Sequence, residues 1–301
     1  MCVRTITAYM QGGLGNQCFI YAAARSLADR VGAELLLDQS YLVHDAVYRR
    51  PFELESFNVR SSQMISVSSK MVHLLRKFRY GAASRMTLRL RNYFCETRPF
   101  TFQTLPTHWN NELTLEGYWQ SERYFADNVK QITKDLTFRN LQWMEDDPIA
   151  LAIRQCENSI FLHIRSYKEV PGWADGRASL PLEYYVSALA KLKSLISGDI
   201  KVFVFSDDLN WAMEKVAAYV QSDTVFVRPI HDGRVNNKHR DFQLMQLCMH
   251  GIVANSSFSW WAGWLGEQDW LAKGKTPIRI RVDRRCMNND YWPVRWLAVG
   301  S

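Results

Sequence analysis

Polar and apolar residues alternate over the first ten positions, as in a half-buried strand, and run straight into the glycine turn GGLGNQ at residues 12–17. From Asn16 to Val31, alanine, leucine and aromatic residues recur at helical spacing, and Gly32 stands where such a helix stops. Residues 33–38, AELLLD, then read as a buried strand, so the opening predicts a βαβ unit with a glycine turn between strand and helix. The stretch 41–119 shows no repeating pattern. After Ile160 the alternation returns: FLHIR (161–165) as a strand, 181–196 as a helix with proline at its start, KVFVFS (201–206) as a strand, and 210–220 as a helix. Residues 224–228 read as a strand, 241–250 as a helix, GIVANS (251–256) as a strand ending in a polar turn, and SWWAGWLG (259–266) as a short helix. Such a series predicts a doubly wound parallel sheet, which binds ligands at the carboxyl ends of its strands. Acids and Pro148 interrupt the apolar pattern between Asp146 and Asn158, which divides the chain into domains of residues 1–152 and 153–301.

Composition narrows the class. The chain has 301 residues, 37 Lys+Arg against 30 Asp+Glu, a formal charge of +7, and 47% apolar residues. That apolar content with so small an imbalance excludes intrinsic disorder, and the length suits two domains with a core each. Six cysteines without a C-x-x-C pair argue against a disulfide framework and a structural zinc site, and point to a reducing compartment. Residues 242–266 carry no Lys, Arg, Asp or Glu, but Gln243, Gln246, His250, Asn255 and three serines there exclude a membrane span. The N-terminus lacks the apolar core of a signal peptide and is too short before the glycine turn for a span, so a cytoplasmic protein is expected. Between Lys70 and Arg98, eight Lys/Arg stand against Glu96 alone, interleaved with Leu, Met and aromatic residues. This predicts a basic amphipathic helix or hairpin that either meets an anionic membrane surface or forms a solvated face. No nucleic-acid motif accompanies it, so nucleic acid is not an expected partner.

Candidate chemistry gathers at four strand ends. GGLGNQ places backbone N–H groups and a helix N-terminus where an anion would sit, or is simply a tight turn; it matches neither a Walker loop nor the dinucleotide fingerprint. His163 and Arg165, two apart at the end of FLHIR, point to one face. There the arginine fork suits a diphosphate and the histidine an adjacent oxygen, or the two are a surface ion pair and a packed ring. Ser206, Asp207 and Asp208 follow the next strand, where carboxylates hydrogen-bond ribose or a base edge, or cap the following helix. Asn255, Ser256, Ser257, Phe258 and Ser259 begin a helix after GIVA and supply neutral donors for phosphate. The chain has no D-x-D for a nucleotide-bound metal, no H-E-x-x-H and no G-x-S-x-G.

Taken together, GGLGNQ with FIYAAARSLA, EGYWQSERYF at 116–125, HIR, FSDD, and DFQLMQLCMHGIVANSSFSWWAGWL resemble the bacterial α-1,2-fucosyltransferases. These transfer L-fucose to galactose, and the match runs in order from Gly12 to Leu265. The resemblance implies an α/β, GT-B-like architecture: two Rossmann-type domains facing across a cleft, with GDP-L-fucose held mainly by the second. It implies inverting chemistry with no metal and no cofactor. Under it Arg165 contacts the diphosphate, and Asn16 lies next to the sugar and phosphates, with Gly13, Gly15 and Gln17 of the same loop and His163 and Ser206 on the donor side. Asp207, Asp208 and Asp241 become candidates for guanosine, and Asn255 to Ser259 for phosphate.

The family pattern H-x-R-R-x-D-Y is altered here to HIRSYKE, so the second arginine and the aspartate are replaced. Lys168 is then the candidate to restore a positive charge, and Glu169 the candidate base for the acceptor hydroxyl. The implied acceptor is a β-galactoside, lipid-linked in surface polysaccharide (O-antigen) synthesis, with the enzyme peripheral at the inner membrane. Two alternatives stand beside this reading: transfer of a related GDP-deoxysugar such as colitose, and a catalytically impaired glycan-binding protein.

Overall fold

The computed structural model describes residues 4–43, 45, 47–64, 92–167, 179–220, 223–283 and 290–300. They fall into two compact units, Met1–Arg139 with Met287–Pro293, and Asn140–Cys286 with Val294–Ser301. The first unit is built on five parallel strands: β1 (Thr5–Tyr9), β2 (Glu34–Asp38), β3 (Ser62–Met64), β4 (Tyr93–Cys95) and β5 (Glu112–Glu116), in the order β3-β2-β1-β5-β4. Helix α1 (Leu14–Val31) follows β1 and ends at Gly32, whose φ of 64° is left-handed. It is apolar nearly all round, with Cys18 to Ala24 buried without a break, so it is a core helix and not a surface one. Tyr21 of α1 donates to Asp135 Oδ2 (2.7 Å) at the end of α2 (Val129–Asp135). The patternless middle supplies three of the five strands. Two of these are three residues long, and only β5, ELTLE, alternates with Leu113 and Leu115 buried. The basic amphipathic segment expected at 70–98 lies mostly outside the described residues; at its far end Tyr93–Cys95 is a strand that pairs in parallel with β5.

The second unit carries six parallel strands: β6 (Asn158–Ile164), β7 (Ile200–Ser206), β8 (Thr224–Phe226), β9 (His250–Ile252), β10 (Arg279–Asp283) and β11 (Leu297–Gly300). Their order, β8-β7-β6-β9-β10-β11, is the 3-2-1-4-5-6 order of a doubly wound dinucleotide-binding sheet. Every residue of β6 is buried, as befits a central parallel strand. The helices are α3 (Pro148–Gln155), α4 (Leu182–Lys193), α5 (Leu209–Val216), α6 (Asn237–Leu247) and α7 (Ser257–Ala272).

Three expectations are corrected. The division after residue 152 moves to between Arg139 and Asn140, because α3 is pinned to α6 of the second unit. Asp147 caps α3 through the amides of Ile149 and Ala150 (2.9 and 3.0 Å), and its other oxygen receives Arg240 Nε of α6 (2.8 Å). The described residues 290–293 return to the first unit, where Asp290 receives Phe102 N (2.9 Å) and Arg123 Nη1 (2.6 Å). The helix expected at 259–266 runs on to Ala272, and within it Gly266 is a close approach, since a Cβ there would stand 2.4 Å from the Gln246 carbonyl oxygen. Likewise the helix expected to begin at 241 begins at Asn237, capped by the Asn236 side chain.

The Asp147–Arg240 pair is about 1% exposed on both sides, so removing one partner strands a buried charge. Arg240→Met is expected to destabilise the second unit by about 3–5 kcal/mol, read as a lower urea midpoint for that unit.

Candidate functional site

In the second sheet the crossovers reverse direction between β6 and β9, and a doubly wound sheet opens its ligand crevice at that point. Arg165 follows β6, and Asn255 follows β9 by way of Val253 and Ala254. Pairing runs in register from Leu162 to Ile252 and from Ile164 to Ser206. Continued by one step on the β7 side and three on the β9 side, it brings Arg165, Asp207 and Asn255 together at the strand ends.

Asp207 ties these loops together. Its carboxylate receives Arg165 Nη1 (2.6 Å) and the backbone amides of Ser166 (2.7 Å) and Tyr167 (3.1 Å). Burial works against its ionisation, but Arg165, the Ser166 amide and His163 outweigh it and hold the acid below its ordinary range. The Arg165 guanidinium also lies over the Tyr167 ring, 4.8 Å from its centroid, and the Tyr167 hydroxyl donates to the Asn255 carbonyl (2.6 Å). Tyr167 has φ 59°, a left-handed backbone uncommon for a tyrosine, at the point where the loop turns to make these contacts. Sequence reasoning missed Tyr167; its one signal was an aromatic residue two places beyond the arginine.

His163 lies wholly inside. Burial pushes its pKa down to about 4, aided by Arg165 and opposed by Asp207, so the ring is neutral at physiological pH. Its Nδ1 has no hydrogen-bond partner among the described residues, and its ring packs near Phe258 (5.9 Å), which in turn meets Phe242 (5.2 Å).

Several expected ligand contacts turn out to be engaged within the protein. Asp207 is a loop anchor, where a guanosine contact was expected. Asp208 caps α5 through Trp211 N (3.1 Å), the alternative kept open for it, and its amide donates to Ser206 Oγ (3.0 Å). Ser256 caps α7 through Phe258 N (3.3 Å), and Ser259 is fully buried with its hydroxyl 3.5 Å from the Ser256 carbonyl. Ser257 is the first residue of α7, so the backbone donors of this helix start, and not Ser259, face the strand ends. Asp241 is different: on α6 it is partly buried, has no hydrogen-bond partner among the described residues, and is pushed by burial up to about 7, against the pull of Arg240.

In the first unit the glycine loop follows β1. Gly12 has φ 73°, and a Cβ there would strike Asn16 Nδ2 at 2.6 Å, so glycine is required twice over. Gly13 sits at the N-cap of α1 with no side-chain cap, and Gly15 is buried in its first turn. Gln17, expected to bind donor, is spent on the scaffold: Nε2 donates to the Gly12 and Pro51 carbonyls (2.9 and 2.8 Å), and Oε1 accepts from Glu53 N (2.9 Å). Asn16 Oδ1 accepts from Gln120 Nε2 (2.9 Å), a partner that sequence reasoning missed. Lys168 and Glu169 lie outside the described residues. Among the described residues no three His, Cys, Asp or Glu side chains are grouped to hold a metal, and no helix is long and apolar enough to cross a membrane.

A Rossmann-order sheet with an arginine and a helix start at its switch point defines a doubly wound α/β protein. Its residues 88–273 match the model of glycosyl transferase family 11, and the chain belongs to that family. An α-1,2-colitosyltransferase of Escherichia coli is 28% identical over 98% of both chains. The O-antigen biosynthesis glycosyltransferase WbnK, also of E. coli, is 30% identical over 85% of this chain and 88% of its own. Among solved structures, the fucosyltransferase NodZ from Bradyrhizobium has a TM-score of 0.52 at 18% identity, covering 86% of this chain and 92% of its own. Arabidopsis thaliana FUT1 has the same TM-score at 14% identity, covering 92% and 70%. The protein is thus a glycosyltransferase of GT-B-like α/β fold.

The raised Asp241 makes a signed prediction. Its folded form binds a proton up to about pH 7 while the unfolded form loses it near pH 4, so its contribution to stability falls as pH rises between those values. Asp241→Asn is expected to raise the melting temperature of the ligand-free protein at pH 8 and to leave it nearly unchanged at pH 4, as scanning calorimetry would read.

Proposed function

We propose that the chain transfers L-fucose from GDP-β-L-fucose to the 2-hydroxyl of a terminal β-galactoside, with inversion and without a metal. The observation that carries the reading is Arg165, set by Asp207 at the carboxyl end of β6 beside the start of α7. When the bond between sugar C1 and the diphosphate oxygen breaks, negative charge collects on GDP and positive charge on the sugar ring. A fixed guanidinium and the positive end of a helix offset the first without reorganising. The acceptor oxygen attacks from the opposite face, which turns a β donor into an α product. Asp241, partly buried and without a hydrogen-bond partner among the described residues, has capacity for the donor N–H groups of a guanine edge.

A second reading, transfer of colitose from its GDP donor, is favoured by the relative named as an α-1,2-colitosyltransferase. The two sugars differ by one hydroxyl, so the choice turns on whether a buried group pairs with it. An acceptor in surface polysaccharide accords with the relative named for O-antigen biosynthesis.

The deciding experiment offers GDP-L-fucose and GDP-colitose in parallel, in EDTA, with β1,3- and β1,4-linked galactosyl disaccharides, and determines product linkage by NMR. An α-1,2-fucosylated product is expected; exclusive use of GDP-colitose would establish the second reading, and release of no GDP from either would sink both. Arg165→Ala is expected to lower kcat by at least about a hundredfold, the scale of losing a fixed oxyanion donor. A loss within tenfold would remove Arg165 from that role.

A further inference from the structure

Tyr167 stands where its backbone does not suit it. With φ 59° it lies in the left-handed region, which glycine and asparagine enter readily and a bulky side chain enters at a cost. The turn is held by Asp207, whose carboxylate receives the amides of Ser166 (2.7 Å) and Tyr167 (3.1 Å), and by the Ser179 hydroxyl, which donates to the Ser166 carbonyl (2.6 Å). None of these contacts uses the tyrosine side chain, so asparagine would make the same turn with less strain. A side chain kept at a strained position points to a task of its own.

The Tyr167 side chain makes a contact at each end. At the ring, the Arg165 guanidinium carbon stands over the face, 4.8 Å from the centroid. The ion pair of Arg165 Nη1 with Asp207 (2.6 Å) fixes one point of the fork, about which a planar group can still pivot. An aromatic face against the fork fixes its plane as well. The arginine side chain remains 18% exposed, so it is held without being sealed off. At the phenol end, the hydroxyl donates to the carbonyl of Asn255 (2.6 Å), the residue before Ser256, which caps α7. The pairing of β6 with β9 ends at Leu162 and Ile252, and beyond that point the tyrosine joins the two loops.

We infer that Tyr167 is a positioning residue: its ring sets the plane of the Arg165 guanidinium, and its hydroxyl ties that ring to the loop that starts α7, so that the arginine and the helix start meet one anion at a fixed separation. It acts through Arg165 and touches no reacting atom. That the anion is the diphosphate of a GDP-sugar rests on the transfer reading above.

The test is a double-mutant cycle on GDP affinity, measured by titration calorimetry, so that it stands apart from turnover. A merely structural tyrosine would weaken binding by the same factor whether or not the arginine is present. Tyr167→Asn suits the left-handed turn and is expected to leave the melting temperature unchanged or to raise it. It is expected to weaken GDP by about tenfold beside Arg165 and by less than about twofold in the Arg165→Ala background. Tyr167→Phe keeps the ring and loses the bond to Asn255; a loss of about threefold is expected, again only beside Arg165. It carries the same cycle alone if Tyr167→Asn does not fold. Equal losses in both backgrounds would overturn the positioning role. If the Tyr167 variants bind GDP as the wild type does while Arg165→Ala weakens it, the role falls and the donor reading stands. If Arg165→Ala is silent too, or the wild type binds no GDP, both fall. Coupling through Arg165 in a protein that transfers neither sugar would support the positioning role and remove the transfer reading.

Discussion

A parallel strand cannot be followed by its neighbour through a tight turn; each must be reached by a crossover, and each carboxyl end therefore opens on a loop. Where successive crossovers leave in opposite directions, two such loops part and a crevice forms. In the first sheet the glycine loop leaves the carboxyl end of β1, and in the second the crossovers part between β6 and β9. The chemistry-bearing residues described above, far apart in sequence, lie at those strand ends.

Within the second opening, the problem is to present a cation without letting it wander or be neutralised. Asp207 meets it by dividing its charge among one guanidinium and two backbone amides, so that the loop and Arg165 are fixed by the same group. Tyr167 closes the arrangement by lying against the guanidinium and bonding to the far side of the crevice at Asn255. His163 adds no charge, since burial keeps its ring neutral, and so the field at the strand ends is set by Arg165, its aspartate and the helix start.

The α/β class, the opening βαβ unit and four of the six strands of the second sheet were legible in the sequence, because a buried parallel strand is a continuous apolar run and its helix is bounded by caps and glycines. Strands β3 and β4 were not, since three residues cannot display a period, and β5, β10 and β11 went unread as well. The strand-end positions of His163, Arg165, Asp207 and Asn255 could be read from the same pattern; their partners could not. Whether Asp207 meets a ligand or a neighbouring arginine, and whether Gln17 faces a cleft or two carbonyls, depends on contacts 34 to 42 residues away that no local pattern encodes. The same holds for Gln120, which meets Asn16 across 104 residues. The helix that begins after GIVANS was read too short, and Gly266, the last residue of that reading, is a packing contact against the neighbouring helix.

The return of residues 290–293 to the first unit bears on the order in which the protein can be made. Asp290 and Tyr291 complete contacts with Phe102, Arg123 and Phe19 that the N-terminal residues cannot make among themselves. A chain emerging from the ribosome therefore exposes the first unit long before its last piece arrives, while the second unit is being synthesised in between. The unit that begins first is completed only when nearly the whole chain has been made, and the interval between is when its apolar helix α1 depends on whatever in the cell shields incomplete chains.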